Sequence, residues 1–359
     1  MLMNKTIFSF FLWAFLLLPF LPAYALLEQN FKNLNMQDGL AGNSVYSIFK
    51  DRDGFIWFGT GDGLSRYDGK NIRSFTSDKY NLNVRQMYDT SDGTLLFLVG
   101  NRLHCFDRYR ECFIGISGLD GQAYYETRGL VLLNDSTYWS IVGNKLHLLK
   151  RELCEKPDTN ETVCSFQVLK EFVLADDKEV INTICESSDE KKLFLTTESC
   201  KLLTFDLKAE RLENVVSFEV PDYYVASSTL CDKNFLWISM IGGGVLRYDL
   251  LNHSLDFFSR HLKEGRILSH DDVYAFIAVG DKYVAATWNG YTVFSFDKKT
   301  NNVTTEVNNH IAGLSYNIES RMLSAYYEPE GLVYFGTHGG GVIILDLREQ
   351  FYERFSQNE

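Results

Sequence analysis

The stretch Val45–Asp68 reads VYSIFKDRDGFIWFGTGDGLSRYD and contains three short apolar runs separated by two turn signals. The first run ends at the turn Asp51–Gly54, where Asp can bond its own backbone and Gly supplies a positive φ. The second run, Phe55–Thr60, is apolar at nearly every position, which predicts a strand covered on both faces. A third strand is predicted at Leu64–Tyr67 and a fourth around Ile72–Phe75. Together they form a four-stranded antiparallel meander.

A sheet that is apolar on both faces needs neighbouring sheets to bury it, which predicts repeats of this stretch. Looser copies do recur along the chain. The buried second strand has seven equivalents, centred on Trp57, Leu96, Trp139, Phe194, Trp237, Val284 and Tyr334. The end of the third strand also recurs seven times, at Tyr67-Asp68, Phe106-Asp107, Leu149-Lys150, Phe205-Asp206, Tyr248-Asp249, Phe296-Asp297 and Leu345-Asp346. Units about 40–55 residues apart predict an all-β fold, a seven-bladed β-propeller of four-stranded antiparallel blades.

Three details of this pattern carry structural expectations. The recurring Asp is predicted to accept backbone N–H groups at the start of a turn, which is a structural role and not an acid/base one. The third copy has lost this Asp and is followed by a polar insertion, Glu155–Thr162, which is expected to lengthen an outer loop. We expect Phe31–Met36 to close the ring as an edge strand on the seventh unit, after Leu345. The alternative is that Phe351–Phe355 fills this place.

The N-terminus has the pattern of a secretory signal peptide. Residues 1–25 carry Lys5, a long apolar run and the small-residue cleavage site Ala23-Tyr24-Ala25. The apolar core from Ile7 to Leu21 is shorter than the ~20 residues that a spanning helix needs, which favours cleavage over an uncleaved anchor. We therefore expect residues 26–359 to form one propeller domain in the periplasm, without a membrane segment of its own.

Composition limits the partners. A formal net charge of -12 disfavours nucleic acid, because that interaction rests on a basic surface. The mature part holds seven cysteines, and an oxidising compartment allows disulfides, with at least one thiol left over. Cys105 and Cys112 flank the turn between the third and fourth strands of the second unit, and Cys154 and Cys164 flank the insertion in the third. Either pair is a candidate to bridge its hairpin. The alternative is that most of the seven are small core residues: Cys105, Cys112, Cys154, Cys164, Cys185, Cys200 and Cys231.

No arrangement typical of catalysis is found in the sequence. The glycine runs Gly61–Gly63 and Gly242–Gly244 each join two antiparallel strands, whereas phosphate loops lie between a strand and a helix. Cysteine and histidine spacing does not suggest zinc. We predict no catalytic residue, no metal and no cofactor.

The first unit resembles the two-component regulator propeller repeat. The residues that carry this resemblance are Asp38-Gly39-Leu40, Asn43, Val45, Asp51, Gly54, Ile56-Trp57-Phe58-Gly59-Thr60, Gly63-Leu64 and Arg66-Tyr67-Asp68-Gly69. The match is specific there, moderate around Leu236–Asp249 and Leu332–Asp346, and weak elsewhere. The repeat builds the periplasmic sensor region of hybrid two-component regulators in polysaccharide-degrading bacteria. In those proteins two propellers precede a small all-β domain, a membrane helix, a histidine kinase, a receiver and a DNA-binding module.

The resemblance implies a first propeller only, so kinase activity is not expected of this polypeptide. It implies a periplasmic sensory module for signal transduction that controls polysaccharide utilisation, with residues 351–359 as the start of a following domain. The implied partners are an oligosaccharide, a second propeller or sensor domain, and a homodimer partner. The alternative is a secreted propeller enzyme, a lyase or glycosidase, because propellers host both functions.

A ligand is expected at the turns between second and third strands, which lie around the mouth of the central channel in a propeller. Those turns hold Asp62, Arg102, Asn144, Glu198, Trp288, Asn289 and His338. Trp288 is suited to stack on a sugar face, and Arg102, Asn144 and Asn289 to donate hydrogen bonds to hydroxyls or carboxylates. The alternative for any one of these residues is neutral variation on a solvated turn.

Overall fold

A computed structural model describes residues 31–77, 83–117, 125–155, 161–219, 224–263, 265–297, 300, 302–308 and 321–347. The signal peptide predicted at residues 1–25 and the strand considered at Phe351–Phe355 lie outside these ranges. The described part is almost entirely β-strand, with one short 3-10 helix at Met36–Asp38. The predicted all-β class is therefore confirmed.

The strands are numbered in chain order. The first thirteen are β1 (Phe31–Leu34), β2 (Val45–Lys50), β3 (Ile56–Thr60), β4 (Leu64–Tyr67), β5 (Ile72–Phe75), β6 (Val84–Asp89), β7 (Thr94–Val99), β8 (Arg102–Asp107), β9 (Cys112–Ser117), β10 (Leu130–Asn134), β11 (Thr137–Val142), β12 (Lys145–Glu155) and β13 (Thr162–Val173). The others are β14 (Ile181–Glu186), β15 (Lys192–Thr197), β16 (Lys201–Asp206), β17 (Arg211–Ser217), β18 (Val225–Asp232), β19 (Phe235–Ile241), β20 (Gly244–Asp249), β21 (Leu255–Phe258), β22 (Val273–Val279), β23 (Lys282–Thr287), β24 (Gly290–Phe296), β25 (Val303–Asn308), β26 (Met322–Glu328), β27 (Leu332–Thr337) and β28 (Val342–Asp346).

Consecutive groups of four strands pair as antiparallel meanders, which we call units 1 to 6: β2–β5, β6–β9, β10–β13, β14–β17, β18–β21 and β22–β25. Unit 7 consists of β26–β28 and is completed by β1 from the other end of the described chain. A hydrophobic cluster lies between each pair of consecutive units, and another lies between units 7 and 1. Every unit is therefore packed on two sides.

The second strand of unit 1 shows why its run is apolar throughout. Trp57 packs toward unit 2, whereas its neighbours Ile56 and Phe58 pack toward unit 7. All five residues of β3 are buried, as predicted. The equivalent anchors in the other units are buried too: Leu96, Trp139, Phe194, Trp237, Val284 and Tyr334.

The recurring Asp residues start turns, as their position predicts. Four of the six each accept two backbone N–H groups, from residues two and three positions later, at 2.6–3.0 Å. The residues that do this are Asp68, Asp107, Asp206 and Asp249. A carboxylate in this position closes the turn between third and fourth strands.

The predicted edge strand at the N-terminal side is confirmed. β1 pairs with β28, from Phe31 opposite Leu345 to Leu34 opposite Val342. The strand ends at Leu34 and does not reach Met36 as predicted, because the next residue caps the 3-10 helix. The Leu34 side chain is 2% exposed and belongs to the cluster between units 7 and 1.

Units 2 and 3 are joined more closely than the repeat pattern predicts. The two strands that flank the polar insertion are long, and β13 pairs in parallel with β9 of unit 2 over Val163–Ser165 and Gly115–Ser117. The result is one eight-stranded sheet. The expectation that the insertion only lengthens a loop needs correction, since both Glu155 and Thr162 lie in strands; residues 156–160 are outside the described ranges.

The cysteine pairs proposed from sequence are not bonded in this structure. Cys154 is exposed whereas Cys164 is buried, and their register places them on opposite faces of the sheet. Cys112 is exposed at the start of β9 and pairs with Asp107, whereas the buried Cys105 pairs with Ile114, two residues farther along β9. The thiols of Cys105 and Cys164 instead meet in the core between units 2 and 3, where burial raises the pKa of Cys105.

Candidate functional site

The first strand carries a β-bulge at the same place in six of the units. In each of these units, the pairing with the second strand skips one residue, because the register shifts between the two residues that flank it. A bulge of this kind re-aims a side chain, and it is common beside functional sites. The bulged residues are Tyr46, Arg85, Asn182, Ser227, Tyr274 and Leu323.

The residue before each bulge explains where the bulged side chain points. Five of these preceding residues are at most 1% exposed and belong to the clusters between units: Val45, Val84, Ile181, Val273 and Met322. With the preceding side chain fixed in the core, the bulged residue is directed away from it. Alternation along the strand alone would place it on the opposite face of the sheet, against the neighbouring unit.

The bulged residues meet around a cavity of about 520 Å³. In unit 3, which has no bulge at this point, Arg128 just before β10 takes the equivalent place and donates its backbone N–H to Ile141. Every unit thus contributes to the wall of the cavity. We call the contributing residues the channel ring: Tyr46, Arg85, Arg128, Asn182, Ser227, Tyr274 and Leu323.

The channel ring offers hydrogen-bond donors, acceptors and aromatic surface, but its charged members are all cationic. The Arg128 guanidinium donates to Asn182 Oδ1 at 2.6 Å and to Glu198 Oε1 at 2.9 Å. The Arg85 side chain makes no hydrogen bond or ion pair with any residue that the structure describes, and it is exposed to solvent. Its guanidinium is therefore available to a ligand.

The seven residues predicted from sequence lie beside the cavity and do not line it. Their turns are tied to the segments that lead into the first strands by backbone hydrogen bonds of 2.9–3.0 Å. The backbone N–H of the turn residue donates to a carbonyl of the leading segment in four pairs: Gly61 to Ser44, Glu198 to Val180, Trp288 to Asp272, and His338 to Arg321. The turns and the channel ring thus occupy one face.

Two predicted residues contact the channel ring directly. Glu198 pairs with Arg128, as described above, and Trp288 stacks on Tyr274 with ring centroids 6.0 Å apart. The Arg321 guanidinium lies 3.6 Å from the centroid of the Trp288 ring. Part of the indole surface that was expected to meet a sugar is thus covered by this cation.

The other predicted residues lie farther from the ring. Arg102 follows Asn101, which lines the cavity, and the Asn144 side chain donates to the Ala175 carbonyl at 2.8 Å. The remaining three are at the tips of their turns with little or no side-chain burial: Asp62, Asn289 and His338. The channel ring was not predicted from the sequence. A usable signal was present, because each ring residue that lies in a bulge directly follows an apolar residue near the start of a first strand.

A buried carboxylate holds one of these turns in place. Glu179, whose side chain is 8% exposed, accepts from the Ser199 backbone at 3.0 Å and from Lys201 Nζ at 2.8 Å. Burial disfavours the charged form, but hydrogen bonds from Lys201, Ser199 and Thr197 outweigh it and lower the pKa of Glu179 to about 2. Glu198, the partner of Arg128, is part of the turn that Glu179 fixes.

Replacing Glu179 by Gln is expected to destabilise the fold at pH 7 by about 1–3 kcal/mol, since it removes charge-assisted hydrogen bonds. The folded pKa lies below the ordinary value of 4.5, so the stabilisation is complete above about pH 4.5 and is lost as the pH falls through about 2. Urea unfolding at pH 7, 4.5 and 2.5 measures this. Glu152→Gln, which removes an exposed carboxylate, is the control. A deficit of Glu179→Gln that is undiminished at pH 2.5 would contradict the assignment.

A larger cavity, about 740 Å³, lies between units 4 and 5 on the face where third strands turn into fourth strands. Only these two neighbouring units line it, and its charges are mixed. Lys192 and Glu213 in its wall already pair at 2.6 Å. The channel is the better candidate because every unit contributes to it and because the side chain of one of its cations, Arg85, has no partner within the described ranges.

Two further observations concern metals and membranes. In the described ranges, no group of at least three His, Cys, Asp or Glu side chains is arranged to hold a metal ion. Nor does that part of the chain include a helix with the length and apolar character needed to cross a bilayer.

Residues 39–62 match the sequence family described as Two component regulator propeller. The chain carries a regulator propeller repeat. The resemblance predicted from the sequence is thus confirmed, and the matched repeat includes the bulged Tyr46 of the channel ring. A curated relative, Histidine kinase P4 of Formosa agariphila, is 35% identical over 79 residues. This match covers 21% of the chain and 5% of the relative.

Solved structures share the fold of this chain. The extracellular domain of a putative hybrid two component system from B. thetaiotaomicron matches with a TM-score of 0.64 at 16% identity, over 89% of this chain and 42% of that one. A virginiamycin B lyase from Staphylococcus aureus, determined with quinupristin, gives 0.60 at 15% identity, over 89% and 100%. The Swd1 beta-propeller domain of Myceliophteria thermophila gives 0.59 at 11%, over 89% and 100%. The chain thus has a propeller fold and spans less than half of the two component system domain that it matches.

Proposed function

We propose that this chain is a closed seven-bladed propeller that serves as the extracytoplasmic sensory module of a hybrid two-component regulator and binds an oligosaccharide at the channel ring. The observation that carries the proposal is the cavity itself, which is built from one re-aimed residue in each unit. The packing of the units does not require these seven side chains to converge, because the hydrophobic cores lie between the units.

The sensory part of the proposal is supported by the regulator propeller repeat at residues 39–62 and by the similar fold of an extracellular sensor domain. A cleaved leader at residues 1–25 would deliver the chain to the periplasm. A second propeller or sensor domain and a homodimer partner would then carry the signal onward to control polysaccharide utilisation.

The chemistry of the ring suits a saccharide. Tyr46 and Tyr274 supply aromatic rings, and Asn182 and Ser227 supply an amide and a hydroxyl. Sugars are bound by aromatic surface combined with a few convergent polar groups, because both hydroxyls and apolar ring faces must be satisfied.

A second candidate function is a secreted propeller lyase or glycosidase. It is favoured by the fold match to virginiamycin B lyase, which extends over the whole of that enzyme. The two functions differ in an observable way, since a sensor releases its ligand unchanged whereas a lyase or glycosidase cleaves it.

The test is a binding and turnover screen of the full chain with a panel of neutral and acidic oligosaccharides. We expect calorimetric binding without product formation, and about tenfold weaker binding when Trp288 and Arg102 are both replaced by Ala. Trp288 acts by orienting Tyr274, and Arg102 adjoins Asn101 in the cavity wall. Cleavage at enzyme-like rates would favour the lyase or glycosidase, and unchanged affinity in the folded double variant would exclude Trp288 and Arg102 from a role in binding.

A further inference from the structure

Resting on the proposed function, we infer that the channel takes an acidic saccharide, one that carries a carboxylate or sulfate group, and that Arg85 is its principal anion-binding residue. Three features support this assignment: the charge of the cavity wall, the absence of a described partner for the Arg85 side chain, and the way the bulge holds that residue.

The charge of the cavity wall is opposite to that of the whole protein. The chain carries a formal net charge of -12, yet the charged residues among the described lining of the cavity are Arg85 and Arg128, and this described lining includes no Asp or Glu. A cationic cleft in an acidic protein focuses the local field on an anion and raises its local concentration. A neutral sugar gains nothing from this arrangement.

The two arginines are not equivalent. Arg128 is already paired with Glu198 and bonded to Asn182, so most of its charge is compensated within the protein. Arg85 has no such partner among the described residues. A planar guanidinium with all its donors available can bind a carboxylate or sulfate through two parallel hydrogen bonds.

The backbone around Arg85 is firmly held even though its side chain is exposed. Val84 before it is 0% exposed in the core between units 1 and 2, and Gln86 after it pairs with Leu98 on β7. Gln86 also lines the cavity, where its Oε1 accepts from the Tyr88 hydroxyl at 2.6 Å. Because Oε1 already accepts from Tyr88, the Gln86 amide offers its two N–H groups as further donors in the wall of the same cavity.

Titration calorimetry of the full chain with trigalacturonate, its fully methyl-esterified form and a sulfated chondroitin disaccharide tests the inference. The ester keeps the sugar rings and removes the charge. We expect trigalacturonate or the sulfated disaccharide to bind at least about tenfold more tightly than the ester, with an affinity that falls as salt is raised. Whichever anion binds more tightly identifies the group that Arg85 prefers.

Arg85→Gln should weaken binding of that anionic saccharide by about tenfold or more and leave the weak binding of the ester unchanged. Arg110→Gln is the matched control, because it removes one positive charge from an exposed side chain on the opposite face. Its affinity should stay within about twofold of the unaltered chain. Because the Arg85 side chain is exposed, both variants should melt close to the unaltered protein.

Equal binding of ester and acid, or an Arg85→Gln variant that binds the acid normally, would overturn the anion site and leave a saccharide-binding channel in place. Equal weakening by Arg85→Gln and Arg110→Gln would also overturn it, since this indicates only general electrostatic attraction. If none of the neutral and acidic saccharides binds, both this inference and the proposed function fail.

Discussion

A chain that begins at Gln37 is expected to melt at least about 10 °C below a chain that begins at Phe31. The missing segment contains β1, which pairs along its whole length with β28 and covers the outer edge of unit 7. It also contains Leu34, whose side chain is 2% exposed in the cluster between units 7 and 1. Truncating Leu34 to Ala alone should cost about 2–5 kcal/mol, because the cavity left behind cannot collapse between two sheets.

Thermal unfolding followed by circular dichroism measures both effects. Lys32→Ala is the matched control in the same strand, since that side chain is exposed and contacts Tyr67 through a hydrogen bond of 3.0 Å to its hydroxyl and a cation–π contact of 5.2 Å to its ring. It should cost less than about 1 kcal/mol. Removing residues 351–359 should also matter little. If this second deletion lowers the melting temperature as much as loss of β1, the closure through β1 is not what holds the last unit.

Replacing Arg108 by Met is expected to destabilise the fold by about 3–5 kcal/mol, the usual cost of removing one partner of a buried ion pair. The Arg108 side chain is 2% exposed and reaches from unit 2 to Asp51 and Asp53 of unit 1 at 2.9 and 2.7 Å. It also lies 2.9 Å from Asp89, although this pair is not aligned as a hydrogen bond. Without the arginine, the buried Asp51 carboxylate loses its compensating charge, whereas Asp89 keeps its ion pair with Arg52 at 3.0 Å.

Urea unfolding at pH 7 gives the free energy of this change. Arg73→Met is the control, because Arg73 is an arginine in unit 1 whose side chain is 63% exposed and pairs with Glu111. An exposed ion pair contributes at most about 1 kcal/mol, so the control should differ little from the unaltered chain. Equal losses in the two variants would mean that the Arg108 cluster does not stabilise the interface between units 1 and 2.

The strands could be predicted because each is specified locally. The runs in Val45–Asp68 separate at Gly and Asp residues whose turn chemistry does not depend on the rest of the chain. The fully apolar second strands reveal a sheet buried on both faces, and the structure confirms this for Trp57 and its equivalents. The edge strand β1 was predictable for a different reason, since an unpaired sheet edge had to be covered.

The channel ring was not predicted because it depends on a break in the strand pattern. Alternation places Tyr46 and Arg85 on a sheet face, whereas the bulge turns each toward the channel. The position that follows a buried opening residue, such as Val45 or Val84, is a sequence signal that could have revealed the ring. Contacts between distant segments, such as Arg108 with Asp51 or Cys105 with Cys164, left no local trace in the sequence.

The most direct test of the channel ring as the ligand site is a crystal structure of the chain grown with trigalacturonate or with whichever saccharide binds most tightly. The predicted result is a saccharide on the axis, with its acidic group against Arg85 and a sugar ring against Tyr274 or Tyr46. A saccharide bound instead in the cavity between units 4 and 5, beside Lys192 and Lys233 and with the channel ring unaltered, would contradict it.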